Sequence, residues 1–368
     1  MKILFTVLMV FHGLIHLMGT VKAFSPEKLP DLQMSISKLN GTTWGLVCLG
    51  FIVTAALYYK SVSWWWAPGI VFALLSQILL LQFWQDAKFG TIPNLLILIV
   101  CIVAFAGWRF DRSLESDIVR VKTLGEVSHQ DAAGSTISEE SLSDLPQSVR
   151  QWLSASGAMD KPPIQSLILK QSGLMKTSPD QSSWSETEAV QHVNTVAPSF
   201  IWTVTMKMMP LVYVRGKDLY EEGEGQMLIK LYSLVDVVNE SGEKISRGAL
   251  QRYLSEMVWY PGAALREYME WTEIDSTTAR ASMSWGGLTE EVTFHFAEDG
   301  LVQGVSADRF MGGGDDAVRR LWRVDVLESK EMGEYTIPVD VEVSWELEEG
   351  TFTWYRFTVT DIDISVKN

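Results

Sequence analysis

The chain has 368 residues, which is enough for about two domains, and a net charge of −15. Residues 1–108 hold 6 of the 30 basic and 3 of the 45 acidic residues, so residues 109–368 hold 24 basic and 42 acidic residues, a net charge of −18. This acidic part excludes nucleic acid as a partner, because nucleic acid requires a basic surface. Both cysteines, Cys48 and Cys101, lie in apolar runs, so the sequence predicts no disulfide framework and no cysteine zinc site.

Four apolar segments occupy the first part of the chain. They cover residues 3–21, 43–59, 64–84 and 92–108, and each is close to the ~20 residues that cross a bilayer. Tryptophans stand at the ends of the third and fourth segments, as is typical of membrane interfaces. The sequence therefore predicts a four-transmembrane-helix domain over residues 1–108. The first segment has a signal peptide as its alternative, since Lys2 precedes an apolar run.

Basic residues near the segment ends indicate the orientation of this membrane protein. Six lie at the N-terminus, in the loop at Lys60 and after the fourth segment, whereas four lie in the other two loops. Because basic residues favour the cytoplasmic side, the count predicts that the soluble domain is cytoplasmic. A margin of six to four leaves the reverse orientation open.

Several polar side chains lie within or beside the apolar segments. His12 and His16 are four residues apart and share one helix face. Polar groups in a membrane usually face the bundle interior and are candidate functional groups. The full set of intramembrane candidates is His12, His16, Ser76, Gln77, Asp86 and Asn94. One interpretation is a metal, haem or proton site; hydrogen bonding between helices is favoured over it, because no third intramembrane histidine completes a ligand set.

A change of composition separates the membrane part from the rest. Residues 109–142 predict a juxtamembrane helix followed by a flexible linker of small, polar and acidic residues. Asp144 and Pro146 then open a short helix that ends at Gly157. The soluble domain is therefore predicted to cover residues 143–368.

The soluble domain alternates apolar and polar residues with turn signals about every ten positions, which is typical of β-strands. The predicted strands cover residues 164–176, 199–208, 211–220, 225–237, 268–275, 278–285, 288–297, 301–311, 320–330, 335–347 and 351–364. Ser246–Leu265 interrupts them with helical spacing of its apolar residues. The predicted fold is α+β, a mainly antiparallel sheet that forms an open or half-closed barrel wrapped on this helix.

Three blocks of the sequence resemble an uncharacterised bacterial family of membrane proteins with a domain of unknown function. They are FIWTVTMKMMPLVYVRGKDLYEEGEGQMLIKLYSL, RGALQRYLSEMVWYPGAAL and VSWELEEGTFTWYRFTVTDI, and the run RYLxExxWxP is the most specific part. The segments FHGLIHLMG and SQILLLQFWQDAKFGTIPN resemble the membrane half of that family. The resemblance implies a fold and a multi-pass protein of the bacterial plasma (inner) membrane, but no activity. The predicted soluble domain is also similar in outline to the half-barrels of bacterial lipoprotein carriers, which hold acyl chains on the concave face.

The helix and its neighbours supply the candidate ligand-binding residues. Arg252, Glu256, Trp259 and Tyr260 are predicted to line the mouth of a groove, where an arginine holds a carboxylate or phosphate with two hydrogen bonds. Their alternative is a surface ion pair between Arg252 and Glu256. The remaining candidates are Tyr253, on the same helix, and Arg215, which has a turn ion pair with Asp218 as its alternative.

These observations favour a membrane-anchored protein that binds a lipid or another apolar ligand in its β domain. Two alternatives stay open: an intramembrane metal, haem or redox protein that uses His12 and His16, and a structural or partner-binding membrane protein. No catalytic motif is present, so an enzyme is not favoured. We expect membrane lipids as partners and no cofactor, while the sequence does not indicate a metal, a protein partner or an oligomeric state.

Overall fold

The computed structural model describes residues 1–124 and 136–366 and divides the chain into two compact units, Met1–Arg112 and Ser113–Asn368. Residues 125–135 of the predicted flexible linker lie outside the described residues. The parts that flank this gap belong to the second unit. A helix continues to Thr123 on one side, and on the other Ile137 and Leu142 are buried in the core of the second unit.

The first unit is made of helices. They are α1 (Lys2–Ile15), α2 (Leu17–Phe24), α3 (Lys38–Tyr59), α4 (Trp66–Gln82), α5 (Trp84–Ala87) and α6 (Thr91–Thr123), of which α6 ends in the second unit. Among the described residues, three helical stretches are long and apolar enough to cross a membrane: Lys2–Phe24, Lys38–Tyr59 and Trp84–Thr123. The helix α4 is apolar but shorter. Length and composition are therefore compatible with membrane association.

The helices of the first unit share a small core and expose apolar side chains outside it. Met9 of α1, Phe51 of α3 and Ile97 of α6 are completely buried in that core. By contrast, Leu81 and Ile92 are 60% and 71% exposed. Exposed apolar surface on this scale fits a lipid surrounding better than water. The helix α1 contributes to this core, and both α1 and α2 pack on α3.

The second unit is an open antiparallel sheet with two helices. The helices are α7 (Gln147–Ala155) and α8 (Glu243–Ser255), and short 3-10 turns lie at Glu139–Leu142, Glu256–Trp259 and Pro261–Leu265. The strands are β1 (Ser166–Met175), β2 (Ser185–Asn194), β3 (Ser199–Met209), β4 (Val212–Glu221), β5 (Glu224–Leu231), β6 (Val235–Ser241), β7 (Met269–Asp275), β8 (Thr278–Trp285), β9 (Leu288–Phe296), β10 (Val302–Phe310), β11 (Arg319–Met332), β12 (Tyr335–Leu347) and β13 (Gly350–Ser365). Their order in the sheet is β6-β5-β4-β3-β2-β1-β13-β12-β11-β10-β9-β8-β7.

The alternation of the sequence corresponds to the two faces of this sheet. Along β12, Ile337, Val339, Val341 and Val343 are buried, while the intervening Asp340 and Glu342 are less buried. Side chains two residues apart lie on one face of a strand, so one apolar residue in two is enough to build a core. The inward face packs into one continuous apolar cluster.

The helix α8 lies against the inward face and contacts both halves of the sheet, β4, β5 and β6 on one side and β8, β9 and β10 on the other. It approaches β5 so closely that a Cβ at Gly225 would lie 2.9 Å from the carbonyl oxygen of Ile245. The turn after β4 also meets the turn after β8, since a Cβ at Gly286 would lie 2.3 Å from the Cα of Gly223. The sheet therefore curves around α8.

The structure confirms the α+β class, the N-terminal helices and the large open antiparallel sheet, and it corrects three elements. The strand β2 was not predicted, because its inward residues Thr187 and Gln191 are polar. The predicted strand 225–237 is two strands, β5 and β6, joined at Tyr232 and Ser233, both with positive φ. The predicted helix Ser246–Leu265 is α-helical only as far as Ser255, the end of α8, and continues as two 3-10 turns. Pro261, which has no N–H, starts the second of these turns.

Candidate functional site

A cavity of about 570 Å³ lies between α8 and the inward face of the sheet. Its walls come from both halves of the sheet, β1 and β3–β6 on one side and β10–β13 on the other. The lining is mostly apolar and rich in aromatic rings, for example Trp202, Trp259, Trp322, Val341, Trp345 and Phe357. Ligand pockets commonly measure ~300–1,000 Å³ and combine an apolar lining with a few polar groups, so this cavity has the size and surface of a binding site.

A partly buried ion-pair cluster forms one part of the wall. Arg252 of α8 donates from Nη1 to Asp218 Oδ2 at 2.6 Å and from Nε to Glu256 Oε1 at 2.7 Å. Gln191 of β2 donates to the other Glu256 oxygen at 2.5 Å. The guanidinium also lies over the rings of Phe200 and Trp202, 5.1 and 4.9 Å from their centroids. The surface ion pair considered from the sequence is therefore a half-enclosed cluster at the cavity wall.

The electrostatics of this cluster reflect burial and pairing. Burial raises the pKa of the Asp218 carboxyl, although Arg252 and Arg309 act in the opposite direction. Burial also disfavours the charged form of Arg252, yet Glu256 and Asp218 outweigh that effect and raise its pKa. A desolvated charge is stable only with partners, and Arg252 has two carboxylates.

A second arginine, Arg309 of β10, lines the same cavity with different surroundings. Its guanidinium lies 4.8 Å from the centroid of the Trp322 ring. Its Nε is buried and has no hydrogen-bond partner among the described residues. Burial and the nearby charge of Arg252 lower the pKa of Arg309 to about 10, against the opposing effect of Asp218 and Glu256. Gly248 of α8 leaves room for it, since a Cβ there would lie 3.3 Å from Nε.

The structure separates the six predicted ligand-binding residues into two groups. Arg252, Glu256 and Trp259 line the cavity, and the Trp259 indole donates to the carbonyl of Pro338 at 3.0 Å. The other three, Arg215, Tyr253 and Tyr260, are not among the lining residues described for the cavity.

These three residues face other parts of the fold. Tyr260 donates its hydroxyl to the backbone carbonyl of Tyr253 at 2.5 Å, and the Tyr253 hydroxyl lies 3.3 Å from that of Tyr268. Arg215 lies within β4 in continuous pairing with β3 and β5, so no turn exists there. Because Arg215 and Asp218 are three residues apart on one strand, they face opposite sides of the sheet.

Five of the six intramembrane candidates meet in one hydrogen-bond network of the first unit. His12 Nε2 donates to Asn94 Oδ1 at 2.8 Å, and Asn94 donates to Ser76 at 2.8 Å and to Gln77 at 3.2 Å. His16 Nδ1 donates to the carbonyl of His12 at 2.8 Å, which leaves Nε2 to accept from Ser76 at 2.7 Å in the neutral ring. The network joins α1, α4 and α6.

The sixth candidate, Asp86, lies elsewhere and accepts from the backbone N–H groups of Gln33 and Met34. It therefore holds the loop before α3. No group of three or more His, Cys, Asp or Glu side chains within residues 1–124 and 136–366 could hold a metal ion.

Sequence reasoning missed Gln191 and Arg309 as site residues. It considered Asp218 together with Arg215 at a strand bend, but favoured a turn ion pair between the two. The signal that could have found the missed residues is the alternation of side chains along a strand, in which every second residue faces the core. Arg309 follows Val305 and Ala307 at intervals of two, and both of these are buried. Asp218 is likewise in phase with Val214 and Gly216 of β4. A charged residue in phase with the buried face of a strand is placed toward the core.

Residues 143–364 match the model of a family of unknown function, DUF6920, which confirms the predicted resemblance for the β domain. No curated protein matches the chain.

One similar solved structure is the LolA superfamily protein NE2245 from Nitrosomonas europaea. The match has 9% sequence identity, covers 60% of this chain and 94% of that chain, and has a TM-score of 0.33. A likeness at this TM-score carries no argument about ligand or activity.

Proposed function

Because the chain belongs to the family of unknown function DUF6920, we propose its function from its own site: it is a membrane-anchored protein that binds a lipid or another apolar ligand in the cavity of the β domain. The observation that carries this proposal is the cavity of about 570 Å³ with its aromatic and aliphatic lining. Protein interiors are close-packed, and voids larger than a water molecule are few. A space of this size and polarity therefore suits an apolar ligand.

The helical unit supports the anchoring part of the proposal. Its three long apolar helices and its exposed apolar side chains fit insertion in a bilayer. The excess of basic residues near the N-terminus, at Lys60 and after residue 108 supports a cytoplasmic β domain at the bacterial plasma membrane. In this proposal the helices hold the binding domain close to the membrane lipids that are its ligands.

The intramembrane histidines support a structural role more than a redox role. Ring nitrogens of His12 and His16 hydrogen-bond to Asn94, Ser76 and a backbone carbonyl, and these bonds join three helices. Such bonds contribute about 0.6–2 kcal/mol each in membrane helices. The metal, haem or redox alternative stays a prediction that metal analysis and visible absorbance of the purified protein would test.

We expect a side chain that fills the cavity to prevent ligand binding. Val326 of β11 lines the cavity and is half-buried, so Val326→Trp places an indole in the space that the ligand needs. Full-length protein purified in detergent should yield a defined lipid on organic extraction and mass spectrometry. The amount per protein should be several-fold lower for Val326→Trp.

Leu327, the neighbour of Val326 in the chain, provides a matched control. Leu327 is adjacent on the same strand but 63% exposed and outside the cavity lining, so Leu327→Trp adds the same indole without filling the cavity. This variant should carry as much lipid as the unmodified protein. Equal lipid on both variants, or none on the unmodified protein, would contradict the proposal.

A further inference from the structure

The charge of the cavity wall differs in sign from the charge of the domain around it. Residues 109–368 carry a net charge of −18. Among the described residues that line the cavity, however, the charged ones are five basic and two acidic: Lys176, Lys217, Lys244, Arg252, Arg309, Asp218 and Glu256. An apolar ligand without charge would not require this excess of cations, because each charge placed beside an apolar space loses hydration.

Two of the five cations are already neutralised. Arg252 pairs with Asp218 and Glu256, and Lys217 donates to Asp117 at 2.6 Å. Lys176, Lys244 and Arg309 have no carboxylate within ion-pair distance among the described residues. Lys244 instead donates to three backbone carbonyls in the loop between β10 and β11, and Lys176 lies over the ring of Trp184.

Arg309 is the cation with unused hydrogen-bonding capacity. A guanidinium carries five N–H donors, and the buried Nε of Arg309 has no acceptor among the residues that the structure describes. A buried donor without an acceptor costs free energy, and the cost is larger for a charged group. An oxyanion in the cavity would supply acceptors and a compensating charge at once, in the planar geometry that a guanidinium matches.

From this geometry we propose that the ligand is an anionic amphiphile, whose carboxylate or phosphate head is bound by Arg309 while its apolar part occupies the cavity. This inference rests on the proposed function, since it presupposes that the cavity binds an apolar ligand. Arg252 is a positioning residue in this site, because it donates to Asp218 and Glu256 and so fixes the positions of both carboxylates in the wall. The charges of these carboxylates also act on Arg309, but neither accepts a hydrogen bond from its Nε.

The experiment compares amphiphiles that have the same apolar chain and different head groups. Full-length protein in phosphatidylcholine nanodiscs is titrated with palmitate, with hexadecanol and with palmitoyl lysophosphatidic acid, and binding is followed by the fluorescence of the cavity tryptophans. Palmitate or the lysophosphatidic acid should bind roughly 10–100-fold more tightly than hexadecanol, which is the range for a hydrogen bond to a charged group. If palmitate binds more tightly than the lysophosphatidic acid, the preferred oxyanion is a carboxylate; if the lysophosphatidic acid binds more tightly, it is a phosphate.

Variants then assign the preference to Arg309. Arg309→Gln should reduce the preference for the anionic chain to near unity, whereas Arg309→Lys should retain part of it. Arg323→Gln is the matched control, because Arg323 lies on the adjacent β11, is 47% exposed and does not line the cavity. The Arg323→Gln protein should bind palmitate, hexadecanol and palmitoyl lysophosphatidic acid with the same affinities as the unmodified protein.

The outcomes separate the two proposals. Equal binding of palmitate, lysophosphatidic acid and hexadecanol, or a preference that survives in Arg309→Gln, overturns the anionic head group but leaves the apolar site in place. Displacement of palmitate by inorganic phosphate alone at millimolar concentration also overturns it, because the site would then take a free anion. Failure of all three chains to bind the unmodified protein overturns the proposed function itself.

Discussion

Arg252 and Arg309 lie at the wall of one cavity, and their partners decide what each can do. Arg252 has two carboxylates within 2.7 Å, so its charge is used inside the protein. Arg309 has a buried Nε without an acceptor among the described residues. The same residue type therefore serves as a fixed part of the wall in one position and as a candidate ligand contact in the other.

His192 of β2 is a residue whose titration should affect stability. Burial and the charge of Lys122 lower its pKa from 6.5 to about 4, and its Nδ1 is buried without a partner among the described residues. Because the folded pKa lies below the unfolded pKa, the unfolded chain binds the proton more readily as the pH falls. Stability from neutral His192 is therefore complete above pH 6.5 and is lost progressively down to about pH 4.

We predict that His192→Gln makes the stability of the β domain less dependent on pH in this window. The measurement is the free energy of unfolding in guanidinium chloride at several pH values from 7.5 to 4, followed by tryptophan fluorescence. One group contributes a slope of at most about 1.4 kcal/mol per pH unit, and contact with solvent keeps it below that limit. Parallel curves for the variant and the unmodified protein would show that another group titrates instead.

At the scale of elements, the C-terminal end of α6 is attached to the sheet by buried polar contacts. Lys217 of β4 and Asp117 of α6 form an ion pair of 2.6 Å, and their side chains are only 6% and 7% exposed. Asn194 of β2 donates to the carbonyls of Val121 and Leu124 at 2.9 and 2.8 Å. This end of the helix is therefore part of the β domain and not of a linker.

We predict that Asp117→Ala destabilises the β domain by about 3–5 kcal/mol, because it leaves the Lys217 ammonium buried without its partner. The control is Asp361→Ala, which removes the carboxylate of an exposed pair with Lys170. Water can replace that partner, so no measurable loss is expected. Both free energies come from denaturant unfolding, and equal effects of the two substitutions would argue against a docked helix end.

The elements were predictable where apolar periodicity was strong. The strands from β7 to β13 and the helix α8 follow it closely, with Leu250 and Leu254 buried as predicted. The strand β2 was missed because Gln191 faces inward and donates to Glu256, so a polar residue interrupts the apolar pattern of the buried face. The turn at Tyr232 and Ser233 was missed because neither is a usual residue for positive φ.

The site was predictable only in part, because some of its residues come together only in the folded sheet. The sequence places Arg252, Glu256 and Trp259 on one short stretch, and all three line the cavity. Arg309 is 57 residues away from Arg252, and its place at the same wall depends on the pairing of the whole sheet. A sequence pattern reports neighbours along one element, whereas contacts between β4, β10 and α8 depend on the fold.

At the scale of the whole β domain, curvature of the sheet brings distant turns into contact. Gly286 and Gly287 form the two-residue turn between β8 and β9, with φ of +58° and +78°. The backbone of Gly286 meets that of Gly223, which is 63 residues away and lies in the turn between β4 and β5. This contact between the two halves of the sheet has no room for a side chain.

We predict that Gly286→Ala destabilises the domain by about 1–3 kcal/mol more than Gly287→Ala. Both substitutions introduce the strain of positive φ, which costs roughly 1–2 kcal/mol. A Cβ at residue 287 meets no atom within 4 Å, however, whereas one at residue 286 would lie 2.3 Å from the Cα of Gly223. Thermal or denaturant unfolding measures both variants, and equal losses would show that the turns are not in close contact.

The order of strands also has a consequence for how the domain is synthesised. Every neighbouring pair in the sheet is consecutive in the chain except β1 and β13, whose pairing joins Ser166 to Ser365. Strands β1–β6 and β7–β13 can each assemble by local hairpins, but the pairing that unites them waits for the last strand to leave the ribosome. Because β10–β13 supply one wall of the cavity, a nascent chain cannot retain a ligand. We therefore expect the proposed ligand to bind only after β13 has been synthesised and paired with β1.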